Sequence, residues 1–173
     1  FSSPEPADGP ETIQSPSPAI DWAALFTASA DLALSLEGDS LHSKILKTAL
    51  RLVDATSGSL MLLDEATHEL VIVAGENLSA AIVRQTQLQM GDGVAGWVAL
   101  QRQPLLLIGP IDNKKYPKSF PKPDQIASSL CVPLLKTNSS AAPAVLGILN
   151  VSRPIGTPPL TPNDLRLICA FCA

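Results

Sequence analysis

The sequence predicts an α+β domain: about six mainly antiparallel strands, terminal helices on one sheet face, and short helices with a long loop forming a pocket on the other. Three observations point there. Two pairs of short apolar runs are each joined by a polar turn, as antiparallel hairpins are. Stretches with apolar residues at helical spacing stand at both ends of the chain. Between the hairpins lies a glycine junction, Gly91-Asp92-Gly93-Val94-Ala95-Gly96-Trp97-Val98-Ala99, followed by a proline-rich segment. Helices layered on a sheet bury the apolar faces of such a pattern.

Residues 1–20 are rich in Pro, Ser and acids with little to bury, which predicts a disordered linker before a domain at 21–173. From Asp21, a candidate N-cap, Trp22, Leu25, Phe26, Leu32 and Leu36 recur at near-helical intervals. After Glu37-Gly38-Asp39, a second helix capped by Asp39 or Ser40 carries Leu41, Ile45, Ala49, Leu52 and Val53 as its apolar stripe. Gly58–Leu63 and Leu70–Ala74 read as the first hairpin. A short helix opens at Asn77-Leu78-Ser79, and Leu88-Gln89-Met90 is a brief strand entering the glycine junction. There Gly91 and Gly93 supply a backbone free to take positive φ, and Asp92 caps a helix from Val94 that ends before Pro104. Amides converging at such a junction would floor a site for an anion or a polar small molecule.

Leu105–Ile108 predicts another strand, and residues 109–126, with four prolines, predict a functional or mobile loop. Ser128–Leu135 and Val145–Val151 form the second hairpin, in which Pro133 calls for an edge or a bulge. Thr161-Pro162-Asn163-Asp164 is a strong start for a closing helix that runs into Ala173. Both ends therefore read as cut from a longer protein.

With 173 residues, 46% hydrophobic and 16% charged, the chain has enough apolar surface for one core. A formal charge of -4 without a basic patch argues against nucleic acid as a partner. Cys131, Cys169 and Cys172, an odd number inside apolar runs, fit a reducing cytoplasm. No apolar run approaches a bilayer-spanning length, so no membrane contact by this fragment is expected.

The order of pieces resembles the GAF domain family, a GAF/PAS-like architecture. The resemblance rests on the helix leading through Ala55-Thr56-Ser57-Gly58-Ser59 into the first strand, on GDGVAGWVA with Gln101-Arg102-Gln103-Pro104, on SSLCVPLL, on VLGILNVSR and on TPNDLRLICAFCA. It spans roughly residues 22 to 173. It implies a sensor or regulatory module within a multidomain signalling protein such as a histidine kinase of a two-component system, or a dimerising scaffold without a ligand. A homodimer through terminal helices and an output domain in the same polypeptide are the implied partners.

Specific chemistries find little purchase. The cyclic-nucleotide signature of the family has only a partial echo in Asn113, Lys114, Phe120, Asp124 and Gln125, with its final acid missing. Bilin attachment would use a Cys-His pair, which the chain lacks, and haem would ask for a pocket histidine, whereas His42 and His68 fall at a helix start and in a turn. No cofactor is therefore expected. Cys169-x-x-Cys172 lacks the two further ligands a metal would want, and its flanks suit core packing better than redox exchange. One branch of the family reduces free methionine sulfoxide with pocket cysteines, but Cys131 has no resolving thiol near it in the sequence pattern. With no nucleophile set or acid pair either, no catalytic residue is expected. Strand parity and family position nominate Ser59, Met61, Val73, Gly93, Ala95, Trp97, Ile111, Tyr116 and Phe120 for a ligand pocket. The first helix, with Trp22, Leu25, Phe26, Leu32 and Leu36, carries more apolar positions than one sheet face needs and is the dimer-helix candidate.

Overall fold

A computed structural model describes residues 20, 21, 23–25, 27, 40–119, 126–136 and 143–173. Trp22, Phe26, Leu32, Leu36 and Phe120 lie outside the described residues. Residues 23–25 and 27 are helical, and the first element described end to end is α1, Leu41–Leu52, capped by Ser40, whose hydroxyl accepts from the Ser43 amide. Then come β1 (Ser57–Leu63), β2 (Glu69–Glu76), α2 (Ala80–Gln85), β3 (Gln87–Gln89), α3 (Gly93–Gln101), β4 (Leu105–Ile108), β5 (Ile126–Lys136), β6 (Ala144–Pro154) and α4 (Pro162–Phe171). The strands form one antiparallel sheet in the order β3-β2-β1-β6-β5-β4. The two hairpins therefore meet along β1 and β6, at the centre.

Each face of the sheet has its own core. On one, Leu46, Ala49 and Leu50 of α1 with its C-cap Val53, and Leu167 and Ile168 of α4, pack with Leu60, Ala74, Leu130, Val132, Leu149 and Val151. The i, i+3, i+4, i+7 spacing of the α1 set is what one helical face offers to a sheet. That face is rotated from the expected stripe: Leu46 is fully buried, while Leu41 is 61% exposed. On the opposite face Val98, Ala99 and Ala95 of α3 pack with Met61, Leu70, Cys131 and Ile148. α3 is apolar on nearly every side, as suits a helix held between sheet and loop.

Local chemistry accounts for the boundaries. Asp64 accepts from the Ala66 and Thr67 amides to close the first hairpin, and those amides hold its carboxyl below the usual carboxylate range. Pro133 is tolerated because β4 pairs only with Ser128–Cys131, so β5 has run past that neighbour, and a bulge follows at Leu134 and Leu135. At α4, Thr161 and Asp164 form a reciprocal capping box with Pro162 opening the helix. Thr161→Ala is expected to lower stability by about 1 kcal/mol, read as a shifted urea midpoint at unchanged slope. At the chain start Asp21 accepts from the Ala24 amide, as an N-cap does, and Leu25 packs on the α1 side core.

Candidate functional site

The site is built where α3, the loop after β4 and the centre of the sheet converge. β1, β6 and β5 present alternate residues to this side. Ser59 stands opposite Asn150, and Asn150 opposite Cys131; one row on, Ser57, Ser152 and Ser129 align the same way. Asn150 donates through Nδ2 to Ser59 Oγ at 3.2 Å and lies 3.8 Å from Met61 Sδ. The α3 face thus carries an uncharged polar patch beside an apolar one, whereas the α1 and α4 face is almost wholly aliphatic.

The nominated residues divide. Ser59 and Met61 are buried on this face, and Ala95 is buried against it from α3. Val73 is not there: the register shift after Leu60 pairs Met61 with Ile72, so Val73 is the extra residue and packs on the opposite core. A bulge inverts parity beyond it, and nothing in the alternation of β2 signals one. Ile111 is half-buried, outside both cores.

The loop is fastened to the start of α3. Gly93, at φ +59, donates its amide to Pro117 O at 2.7 Å. Asp92 occupies the N-cap position without a side-chain capping bond; its carboxylate instead pairs with Lys118 at 3.1 Å. Trp97 meets Tyr116 edge to face, centroids 5.5 Å apart at 87°, and Tyr116 is 3% exposed. Several amides of the junction are occupied: Gly91 bonds Gly96 O, Asp92 bonds Gln89 O and Gly96 bonds Asp92 O. The glycines and Asp92 thus spend their amides within the chain, which narrows the expected anion floor to the first-turn amides of Val94 and Ala95. Sequence reasoning missed Asn150, since an Asn inside an apolar run reads as a strand residue, and missed Gly96, whose Cβ would lie 2.3 Å from Gln89 O.

The cysteines stand on different sides of the sheet. Cys131 is buried in the α3 core, while Cys169 and Cys172 pack on the α1 and α4 side. Burial raises the thiol pKa of Cys131 and Cys169, and burial with the neighbouring Cys169 pushes Cys172 up to about 12. Folding thus holds these thiols protonated, while the unfolded chain releases the protons near the ordinary value of 9.0. Stability is expected to fall between pH 9 and 12, by up to about 1.4 kcal/mol per pH unit for each linked thiol. Cys131→Ala with Cys172→Ala should flatten that slope in urea titrations. Among the described residues no group of three or more His, Cys, Asp or Glu is placed to hold a metal, and no helix is long and apolar enough to cross a membrane.

The family model for the GAF domain matches residues 38–173. Solved structures share the fold. The GAF domain of an Acinetobacter phosphoenolpyruvate-protein phosphotransferase has a TM-score of 0.67 at 18% identity, over 88% of this chain and 87% of that one. The second GAF domain of DevS from Mycobacterium smegmatis has 0.56 at 22%, over 76% and 84%. A free methionine-R-sulfoxide reductase from Neisseria meningitidis, solved with its substrate, has 0.62 at 14%, over 86% and 81%. No curated protein matches the sequence.

Proposed function

The chain belongs to the GAF domain family, a family of regulatory and sensor modules of signalling proteins, and from that premise we propose that it is a small-molecule-sensing input domain, with a sensor histidine kinase as its host. The observation that carries the proposal is the uncharged polar patch around Asn150 and Ser59 on the face that α3 and the fastened loop share. Asn150 and Ser59 bond each other, and the remaining hydrogen-bonding capacity of this patch among apolar neighbours is what a polar small molecule would engage. Ligand binding would bias how the loop packs on α3, and the end helices would carry that bias to an output domain in a homodimer. The domain itself is read as non-enzymatic and without a cofactor. The sheet between Cys131 and the Cys169–Cys172 pair supports this against a redox-active cysteine cycle, because a resolving thiol must reach the attacked one. A cytoplasmic location belongs to the same reading.

Native mass spectrometry of the purified chain, followed by a thermal-shift screen of amino acids, cyclic nucleotides, tetrapyrroles and small aromatic acids, tests it. The expected result is a retained mass or a ligand-dependent rise in Tm that Asn150→Leu abolishes. An empty dimer that no compound stabilises would favour the alternative, a dimerisation scaffold without a ligand.

A further inference from the structure

We infer that Trp97 and Tyr116 form a two-walled site for an organic ammonium ion, a site held by the chain's own Lys115. The two rings stand at 87° with centroids 5.5 Å apart. Lys115 Nζ lies 5.7 Å from the Trp97 centroid and 5.2 Å from that of Tyr116, so one ammonium is shared by both π systems. Indole and phenol faces carry the negative lobes of their quadrupoles, and a cation within about 6 Å of such a face is attracted.

The walls are fixed while the occupant is not. Tyr116 is buried, its amide bonds Asp112 O at 2.9 Å, and the next residue, Pro117, accepts from Gly93. Trp97 sits within α3, whose neighbours Val98 and Ala99 are fully buried. Lys115, by contrast, is exposed, and its flexible stem can swing the ammonium into water without disturbing either ring. A compact ammonium is strongly hydrated, whereas a quaternary or methylated one gives up little hydration on entering an aromatic corner. The vacated position therefore favours that ligand class over lysine itself. Of the nearby carboxylates Asp92 is engaged by Lys118, and Asp112, at the turn that carries Lys114 and Lys115, offsets part of the loop's positive charge.

The inference rests on reading the loop and α3 as a ligand-bearing face, and it names the ligand chemistry there. The full chain with Trp22→Phe leaves Trp97 as the one tryptophan, so its emission reports the site. Choline and tetramethylammonium, titrated at constant ionic strength, are expected to change that emission saturably in the millimolar range. Lys115→Gln, which removes the internal competitor, should tighten binding about two- to fivefold, and Tyr116→Leu should weaken it. The neutral isostere 3,3-dimethylbutan-1-ol should give no saturable response. Equal responses to choline and the alcohol would overturn the cation site while leaving an apolar ligand face standing. No response in Lys115→Gln, with some other compound raising Tm, overturns this inference alone; no response and no stabilising compound removes both readings.

Discussion

Gly147→Ala is expected to cost about 3 kcal/mol or more, and Gly147→Val to yield no folded protein. Gly147 lies in β6, between β1 and β5, opposite Leu62 and Leu134. A Cβ there would come within 2.1 Å of Met61 O and 3.0 Å of Leu62 Cδ2. The first of these is backbone of a paired central strand, so relief requires separating β1 from β6 where the two hairpins join. Close packing leaves no slack for that. Gly109→Ala is the control: its φ of +78 strains alanine, but nothing lies within 4 Å, so a loss of about 1–2 kcal/mol is expected. Urea unfolding followed by circular dichroism measures both. Comparable midpoints for the two variants would mean that β1 and β6 do not approach as described.

Arg153→Met should lower stability by about 2–4 kcal/mol. The guanidinium joins three elements. It donates through Nε and Nη2 to Val53 O at the end of α1, and through Nη1 to Pro158 O at 3.1 Å and Pro159 O at 3.4 Å. It also lies 3.8 Å from the Asp164 carboxylate, both side chains being mostly buried. Removing it leaves the part-buried Val53 carbonyl without its donor and a poorly solvated carboxylate without its cation, while the exposed Pro158 and Pro159 carbonyls turn to water. Arg153→Lys should recover only a minor part, because a single ammonium cannot fork to acceptors on two segments. Hydrogen exchange should show the loss as faster exchange at the end of α1 and the start of α4, with the α3 face little changed. Uniform acceleration would instead make Arg153 an ordinary contributor to global stability.

Much of this architecture is legible in the residues. The two hairpins, a helix cap at Asp39 or Ser40 and Thr161 as the cap of the last helix follow from alternation and capping chemistry, which act over a few residues and leave their mark there. The closing of the loop on α3 was half legible: aromatics in a proline-rich segment marked Tyr116, but its partner had to be found across the fold. Val73 failed because a single-residue bulge reverses the face of everything beyond it. Asn150 was hidden because a lone polar residue in an apolar strand looks the same whether it meets water or a neighbour such as Ser59.

By itself the sequence determined the element order and the α+β layering, since both depend on periodicities of two and 3.6 residues and on turn chemistry local to the chain, and its motifs carried the resemblance to the GAF family. Only the tertiary structure decided which residues share a face. The pairing of Ser59 with Asn150, the seating of Lys115 over Trp97 and Tyr116, the separation of the cysteines by the sheet and the reach of Arg153 to Val53 join positions brought together by strand register or loop closure. Those contacts depend on register and on the path of the loop, and neither is written in the spacing of residues along one segment.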